Sequence, residues 1–322
     1  MYEIRPHAGV PDLARQAYEL TWLAFSSYEG VLTPSAAHTA WYLRRPGMDR
    51  KLSRAALHEG RMVSSVYVTV AMVRLGGQLV RTGVIDTLMT HPDHRRRGLA
   101  RRLLEEAIEA MRAQDLAASL LYTVPGSGPY ELYQSLGFRP HAEVAYLCRP
   151  PVAVPQRREP AGLIGRAELM AFLNACFGQH DGYVPLDDDL WRWRREERPA
   201  ECPALTSTVE RDGSLVGSVT FCTGSVVGMG SPCYVLSDLA IAPDVDASET
   251  LAALLVAAPG DAPMLALAAT GDHRETEALE AAGFARTGSE VAMVLPLSAQ
   301  GERAVARPLR RWYVLVESVI GV

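Results

Sequence analysis

The chain has 322 residues, 48% of them hydrophobic and 21% charged, with a formal net charge of −5. That length and apolar content suffice for two domains with their own cores and exclude an intrinsically disordered chain. The acidic balance argues against a nucleic-acid partner, no run of about 18 apolar residues offers a membrane span, and Met1-Tyr2-Glu3-Ile4-Arg5-Pro6 is no export leader, so a cytoplasmic protein is expected.

Residues 10–25 have the spacing of an amphipathic helix. Residues 55–58 and 63–73 alternate as hairpin strands about Glu59-Gly60, and residues 78–90 continue as strand. A helix follows from residue 99, with Leu103, Leu104 and Ile108 on one stripe. Between that strand and helix stand Arg95, Arg96, Arg97, Gly98, Leu99 and Ala100. A glycine there lets backbone approach an anion closely, the helix start presents unpaired N–H groups, and the arginines add positive charge. The segment predicts a phosphate cradle. Other phosphate motifs fail: there is no G-x-x-x-x-G-K-[ST], and Gly126-Ser127-Gly128 continues with Pro129, Tyr130 and Glu131 instead of a third glycine. Residues 119–124 read as a short strand, 129–136 as a helix stopped by Gly137, and 143–147 as a strand.

Residues 150–160 contain four prolines, with polar residues among them, and read as a linker between a first domain, 1–149, and a second, 161–322. The second half repeats the first. Asp86-Thr87-Leu88 matches Ser237-Asp238-Leu239, Glu59-Gly60 matches Asp212-Gly213, and Gly137-Phe138 matches Gly283-Phe284. Glu-Val-Ala follows in both halves, at Glu143 and Glu290. Offsets this constant indicate an internal duplication. At the cradle position, however, the second half has neither glycine nor arginine and carries Asp244, Asp246 and Glu249, while Leu279 stands where Tyr133 would recur. Like charges there repel a phosphate, so the second half is expected to be degenerate and structural, walling an acceptor cleft. The five cysteines form no C-x-x-C pair and are expected to be reduced. His91 and His94 lack the partners of a metal site, and no metal is expected.

Residues 84–100, with Pro92, Arg95, Gly98 and Ala100 in place, resemble the central motif of the GNAT superfamily of N-acetyltransferases, and Tyr133 to Gly137-Phe138 resembles a second element of that family. The resemblance implies two tandem GNAT-like α/β domains, each a mixed sheet with helices on both faces, and acetyl-CoA as the phosphorylated ligand. It implies that Leu88, Met89 and Thr90 pair with the pantetheine arm and polarise the thioester, that Arg95, Arg96, Arg97, Gly98, Leu99 and Ala100 hold the diphosphate, and that Tyr133 protonates the departing sulfur. Tyr130, on the same helical face, is the alternative acid. Asp86 matches a position where family members carry an acid that deprotonates the amine through water; its other reading is a partner for an arginine or a backbone N–H. Glu131 and Glu143 are further candidates.

The expected activity is acetyl transfer from acetyl-CoA to a primary amine by direct attack in a ternary complex, with a small-molecule or peptide amine as acceptor. A non-catalytic acyl-CoA sensor or scaffold is the alternative. Tyr28, Glu29, Trp41, Tyr42, Trp191, Trp193, Asp187, Asp188 and Asp189 read equally as a rim for a cationic acceptor or as folded surface. Residues 312–316 read as a strand needing an edge, and a second copy of the chain is left open as a partner.

Overall fold

A computed structural model describes residues 1–25, 32–152, 164–258, 261–309 and 311–321. Most of the predicted linker, 150–160, lies outside the described residues, as do Tyr28 and Glu29. Among the described residues eleven strands join in one mixed sheet. In chain order they are β1 (Glu3–Pro6), β2 (Arg54–His58), β3 (Arg61–Leu75), β4 (Gln78–Thr90), β5 (Ala118–Thr123), β6 (Arg139–Arg149), β7 (Ala204–Arg211), β8 (Ser214–Val226), β9 (Gly230–Ile241), β10 (Met264–Ala269) and β11 (Ala285–Pro296). Their spatial order is β1-β2-β3-β4-β5-β11-β6-β10-β9-β8-β7.

That order contains a reciprocal exchange. The last strand of the second half, β11, pairs with β5 of the first, from Val291↔Thr123 to Pro296↔Ala118. The last strand of the first half, β6, pairs with β10 of the second, from Met264↔Arg149 to Ala269↔Val144. The two exchanged strands also pair with each other, which makes the sheet continuous. Each half has the same interruption. β4 and β5 run parallel for three residue pairs, ending at Val84↔Leu120, and β9 and β10 for three, ending at Ala266↔Leu236. Beyond those points the parallel strands diverge.

The helices lie on both faces, as the sequence leads one to expect. α1 (Leu13–Phe25) and α2 (Ala36–Tyr42) share one face with α5 (Arg166–Phe177), and their apolar core runs without a break across both halves. On the other face the cores are separate: α3 (Leu99–Ala113) and α4 (Gly128–Ser135) cover the first half, α7 (Ala247–Val256) and α8 (His273–Ala281) the second. Between these groups in the chain lies α6 (Asp188–Trp191), and α9 (Ala299–Val305) and α10 (Val316–Val319) come last. α3 buries Leu99, Leu103, Leu104, Ala107, Ile108 and Met111 on one stripe, each large side chain contributing about 2 kcal/mol. Gly83 on β4 makes the close approach possible, because a Cβ there would lie 2.2 Å from Met111 Sδ.

One predicted strand is not formed. Residues 312–315 make only an isolated bridge, Asp181↔Trp312. Polar groups from the sheet hold the segment: Trp312 Nε1 and Leu315 N donate to Tyr122 Oη at 3.2 and 3.3 Å, and Tyr313 Oη donates to Asp238 at 2.5 Å. No helix among the described residues is long and apolar enough to cross a membrane.

Candidate functional site

The divergence of β4 from β5 leaves the outer edge of β4 without a strand partner beyond Val84. On its inner edge β4 stays paired with β3, through Tyr67↔Asp86, Ser65↔Met89 and Ser64↔Thr90, with a bulge between Ser65 and Tyr67. Thr87 sits in the bulge at φ +51°, a costly conformation for a β-branched residue. Met89 and Thr90 are anchored from behind: the Ser64 hydroxyl donates to Met89 O at 2.8 Å and lies 2.8 Å from Thr90 Oγ1. Leu88 and Thr90 are half-buried and Met89 is buried.

The open edge of β4 leads directly into the cradle. Arg96 (φ +58°) and Gly98 (φ +73°) are both left-handed, a sequence of conformations that turns successive N–H groups toward one side. Arg102 N is the first helical N–H bonded in the usual way, to Gly98 O at 3.1 Å, so those of the first turn of α3 point outward. Arg95, Arg96, Arg97 and Gly98 are exposed, whereas Leu99 is buried and Ala100 half-buried. Arg95 is fixed by bonds to Thr90 O (3.2 Å) and Ala24 O (3.5 Å), and Arg97 by one to Asp93 O (3.2 Å). A Cβ on Gly98 would meet open space, so its glycine answers to backbone conformation and to whatever enters from solvent.

Behind the open edge lies a cavity of about 210 Å³. Tyr133, buried on α4 and packed edge-on against Phe138, lines it; Tyr130 does not, and accepts from Gln134 Nε2 at 3.1 Å. Asp86 lines it too, but as half of a buried ion pair with Arg45. Arg45 also donates to Thr69 Oγ1 (3.1 Å), Tyr42 Oη (3.1 Å) and Ser318 Oγ (3.3 Å), while Thr87 Oγ1 donates to Asp86 at 3.2 Å. Burial pushes the Asp86 carboxyl above its ordinary range, against the pull of Arg45. Of the two readings of Asp86, this geometry matches the arginine partner.

Two more carboxylates reach the cavity, and neither was singled out for it from sequence. Glu317 on α10 is paired with buried Arg194. Glu290 on β11 accepts from Tyr146 Oη at 3.1 Å, and burial raises its carboxyl to about 7. Tyr122, also on the wall, is pushed up by burial, and His38, whose Nε2 is 2.6 Å from Gly321 O, is driven down to about 4 by burial. Arg45 left no local signal, being one of four basic residues between positions 44 and 51. Glu290 left one: it repeats Glu143.

Among the described residues, the aromatic and acidic side chains that read equally as rim or as folded surface do not assemble into a rim. Trp41 and Trp193 are 1% exposed and stack at 4.4 Å, each Nε1 donating to the other's carbonyl at 3.0 and 3.1 Å. They are core because stacking and paired bonds satisfy both faces and edges. Trp191 is buried under Arg195, Asp187 caps α6 through Leu190 N at 2.8 Å, and Asp188 and Asp189 pair with Arg166 and Arg192. Of the described residues of that set, Tyr42 alone lines the cavity.

At the equivalent of the cradle in the second half, Asp246 caps α7, accepting from Glu249 N at 2.7 Å. Arg274 from α8 donates to Ala242 O (2.8 Å) and Val245 O (2.6 Å), so a side chain already satisfies the loop. Leu279, at the position of Tyr133, is fully buried. The bulge recurs at Asp238 (φ +49°), which is buried and paired with Arg195 at 2.7 Å. Burial alone would raise the Asp238 carboxyl, but Arg195 and Arg194 carry it below its ordinary range. Each half therefore stabilises its bulge with a buried aspartate and arginine, one residue out of step.

Residues 11–141 match the family model of an acetyltransferase (GNAT) domain. The fold is similar to that of a tandem GNAT protein from the clavulanic acid biosynthesis pathway, with 17% identity over 92% of this chain and 99% of that one and a TM-score of 0.66. It is similar to a GCN5-related N-acetyltransferase from Anabaena variabilis (14% identity, 92% and 73% covered, TM-score 0.66). N-myristoyltransferase from Saccharomyces cerevisiae is also similar (12% identity, 92% and 79% covered, TM-score 0.68). No curated protein matches the chain in sequence. The chain is thus an acyltransferase that carries a GNAT acetyltransferase domain at residues 11–141 within a tandem GNAT fold.

Proposed function

We propose that the first half moves an acetyl group from acetyl-CoA to a primary amine by direct attack in a ternary complex. The observation that carries this reading is the open edge of β4, which ends in a cradle of outward N–H groups and exposed arginines and lies over a cavity holding the Tyr133 phenol. The diphosphate binds at Arg95, Arg96, Arg97, Gly98, Leu99 and Ala100. The pantetheine arm extends the sheet along Leu88, Met89 and Thr90, where a backbone N–H polarises the thioester carbonyl. The amine nitrogen attacks that carbon, the C–S bond breaks, and Tyr133 gives its proton to the departing thiolate. Asp86 acts here as a positioning residue, because to take a proton it would have to surrender buried Arg45.

The acceptor is a cationic small molecule or an exposed peptide amine, entering a cavity where, among the described carboxylates of the wall, Glu290 is the one not paired with an arginine. The second half, residues 161–322, binds no CoA; it completes the sheet and walls the cleft. Calorimetric titration of acetyl-CoA, followed by thiol release with a panel of primary amines, tests the reading. One site per chain and amine-dependent release are expected. Two sites would mean that the second half is competent, binding without release would favour a sensor or scaffold, and absence of binding would overturn the reading.

A further inference from the structure

We propose that Glu290, delivered by the exchanged strand β11 of the second half, takes the proton from the attacking amine in the site of the first half. The inference rests on the acyl-transfer reading above and names its missing base. Strand exchange creates the arrangement. Glu143 and Glu290 occupy equivalent places in the duplicated sequence, each before Val-Ala. Because β6 and β11 trade sheets, Glu143 goes to the second half, where its side chain is exposed and pairs with Arg286 while its backbone carbonyl accepts from Thr270 N at 3.0 Å. Glu290 goes to the first half, beside the end of β5, where its neighbour Val291 pairs with Thr123.

Elimination points the same way. Among the described residues, three carboxylates line the cavity, and two are committed: Asp86 to Arg45 and Glu317 to Arg194. Glu290 is held by a neutral donor, Tyr146 Oη, and no ion pair to it is formed among the described residues. A buried carboxylate with a phenol for company is free to exchange its proton without breaking a charge pair. The other titratable groups on the wall are unsuited near neutral pH. His38 stays uncharged, and burial raises Tyr42, Tyr67 and Tyr122. Tyr133 and Tyr146 are phenols, and only Glu290 is tuned to about 7. The step balances. An ammonium proton passes to the Glu290 carboxylate, the neutral nitrogen attacks the thioester carbon, and the C–S bond breaks. The thiolate takes the Tyr133 proton, and the second nitrogen proton restores the phenol. Glu290 returns its proton to water. It also explains why a half without a cradle is retained: the site of the first half is incomplete without it.

The test compares two acceptors with acetyl-CoA as donor. Ethylamine is almost wholly protonated at neutral pH and needs a base, whereas hydroxylamine is largely uncharged and does not. Glu290→Gln is expected to slow thiol release to ethylamine by about 100-fold, and release to hydroxylamine by at least about ten-fold less, with acetyl-CoA affinity retained and thermal melting at neutral pH not lowered. Tyr146→Phe removes a hydrogen bond that favours the carboxylate, so the acidic limb of its pH–rate profile moves to higher pH. Equal losses with both amines, no loss, or an unmoved limb would overturn the assignment of Glu290 while leaving acyl transfer intact. A wild-type protein that binds acetyl-CoA but releases thiol to neither amine, or fails to bind it, would overturn the transfer reading itself.

Discussion

Gly98→Ala separates the cradle from the scaffold that carries it. Gly98 caps α3 at φ +73° and an added Cβ would touch no described atom within 4 Å, so the fold bears only the strain of a left-handed alanine, about 1–2 kcal/mol. With unfolding entropy near 2.1 cal/mol/K per residue over 322 residues, that is a fall in Tm of about 2 °C. In the proposed reading, the methyl group enters the solvent-side space through which a diphosphate would approach the N–H groups of residues 96–101. Losing one or two charge-assisted hydrogen bonds at about 1.5–3 kcal/mol each weakens acetyl-CoA binding by about 10- to 100-fold or more. The assay is calorimetry with acetyl-CoA, and thiol release with S-acetylpantetheine, a donor that lacks the diphosphate. Affinity for acetyl-CoA should fall while the kcat/KM of the truncated donor stays near that of the wild type. An equal loss with both donors, or undiminished acetyl-CoA affinity, would refute the cradle.

Tyr133→Phe should leave acetyl-CoA affinity intact and lower kcat by about 100-fold or more, as loss of a general acid does; an unchanged kcat removes the phenol from the mechanism. Arg45→Met leaves Asp86 buried and unpaired, at a cost of about 3–5 kcal/mol. Adding Asp86→Leu should recover most of that in denaturant unfolding, and a double variant no more stable than the single would contradict the pair. Glu290 titrates near 7 in the fold against an ordinary value near 4.5, so between those pH values the native state holds a proton that the unfolded chain has released, and its stability falls as pH rises. Glu290→Gln removes that slope and should gain on the wild type by up to about 3 kcal/mol from pH 4.5 to 7; a gain that shrinks with rising pH would rule out burial as the cause.

What was legible in the sequence was local. The left-handed glycine, the helix start and the arginines around it are consecutive residues, and their conformation follows from neighbours a few positions away. The duplication was legible because it repeats at a steady offset. Partnerships across the sheet were not. Residues 143–147 of β6 read as a strand and β11 carries the repeat of that segment, yet nothing in a strand names the edge it will take, and the exchange decides which cleft receives Glu143 and which Glu290. Trp41 and Trp193 read equally as rim or core because the same residues serve both; a stack across 152 positions of chain decides it. Arg45 escaped notice for the same reason, since its partner lies 41 residues away.

The interleaving of β11 between β5 and β6 also sets a timetable for synthesis. β5 begins at Ala118 but waits for a neighbour whose last paired residue is Pro296. At about 5–20 residues per second, a ribosome needs on the order of ten seconds or more to supply it. Until then the edge of β5 at Leu120 and Leu121 lacks its native partner and is open to pairing with another strand. Chaperone dependence during translation, and aggregation of chains truncated before β11, follow directly from the strand order.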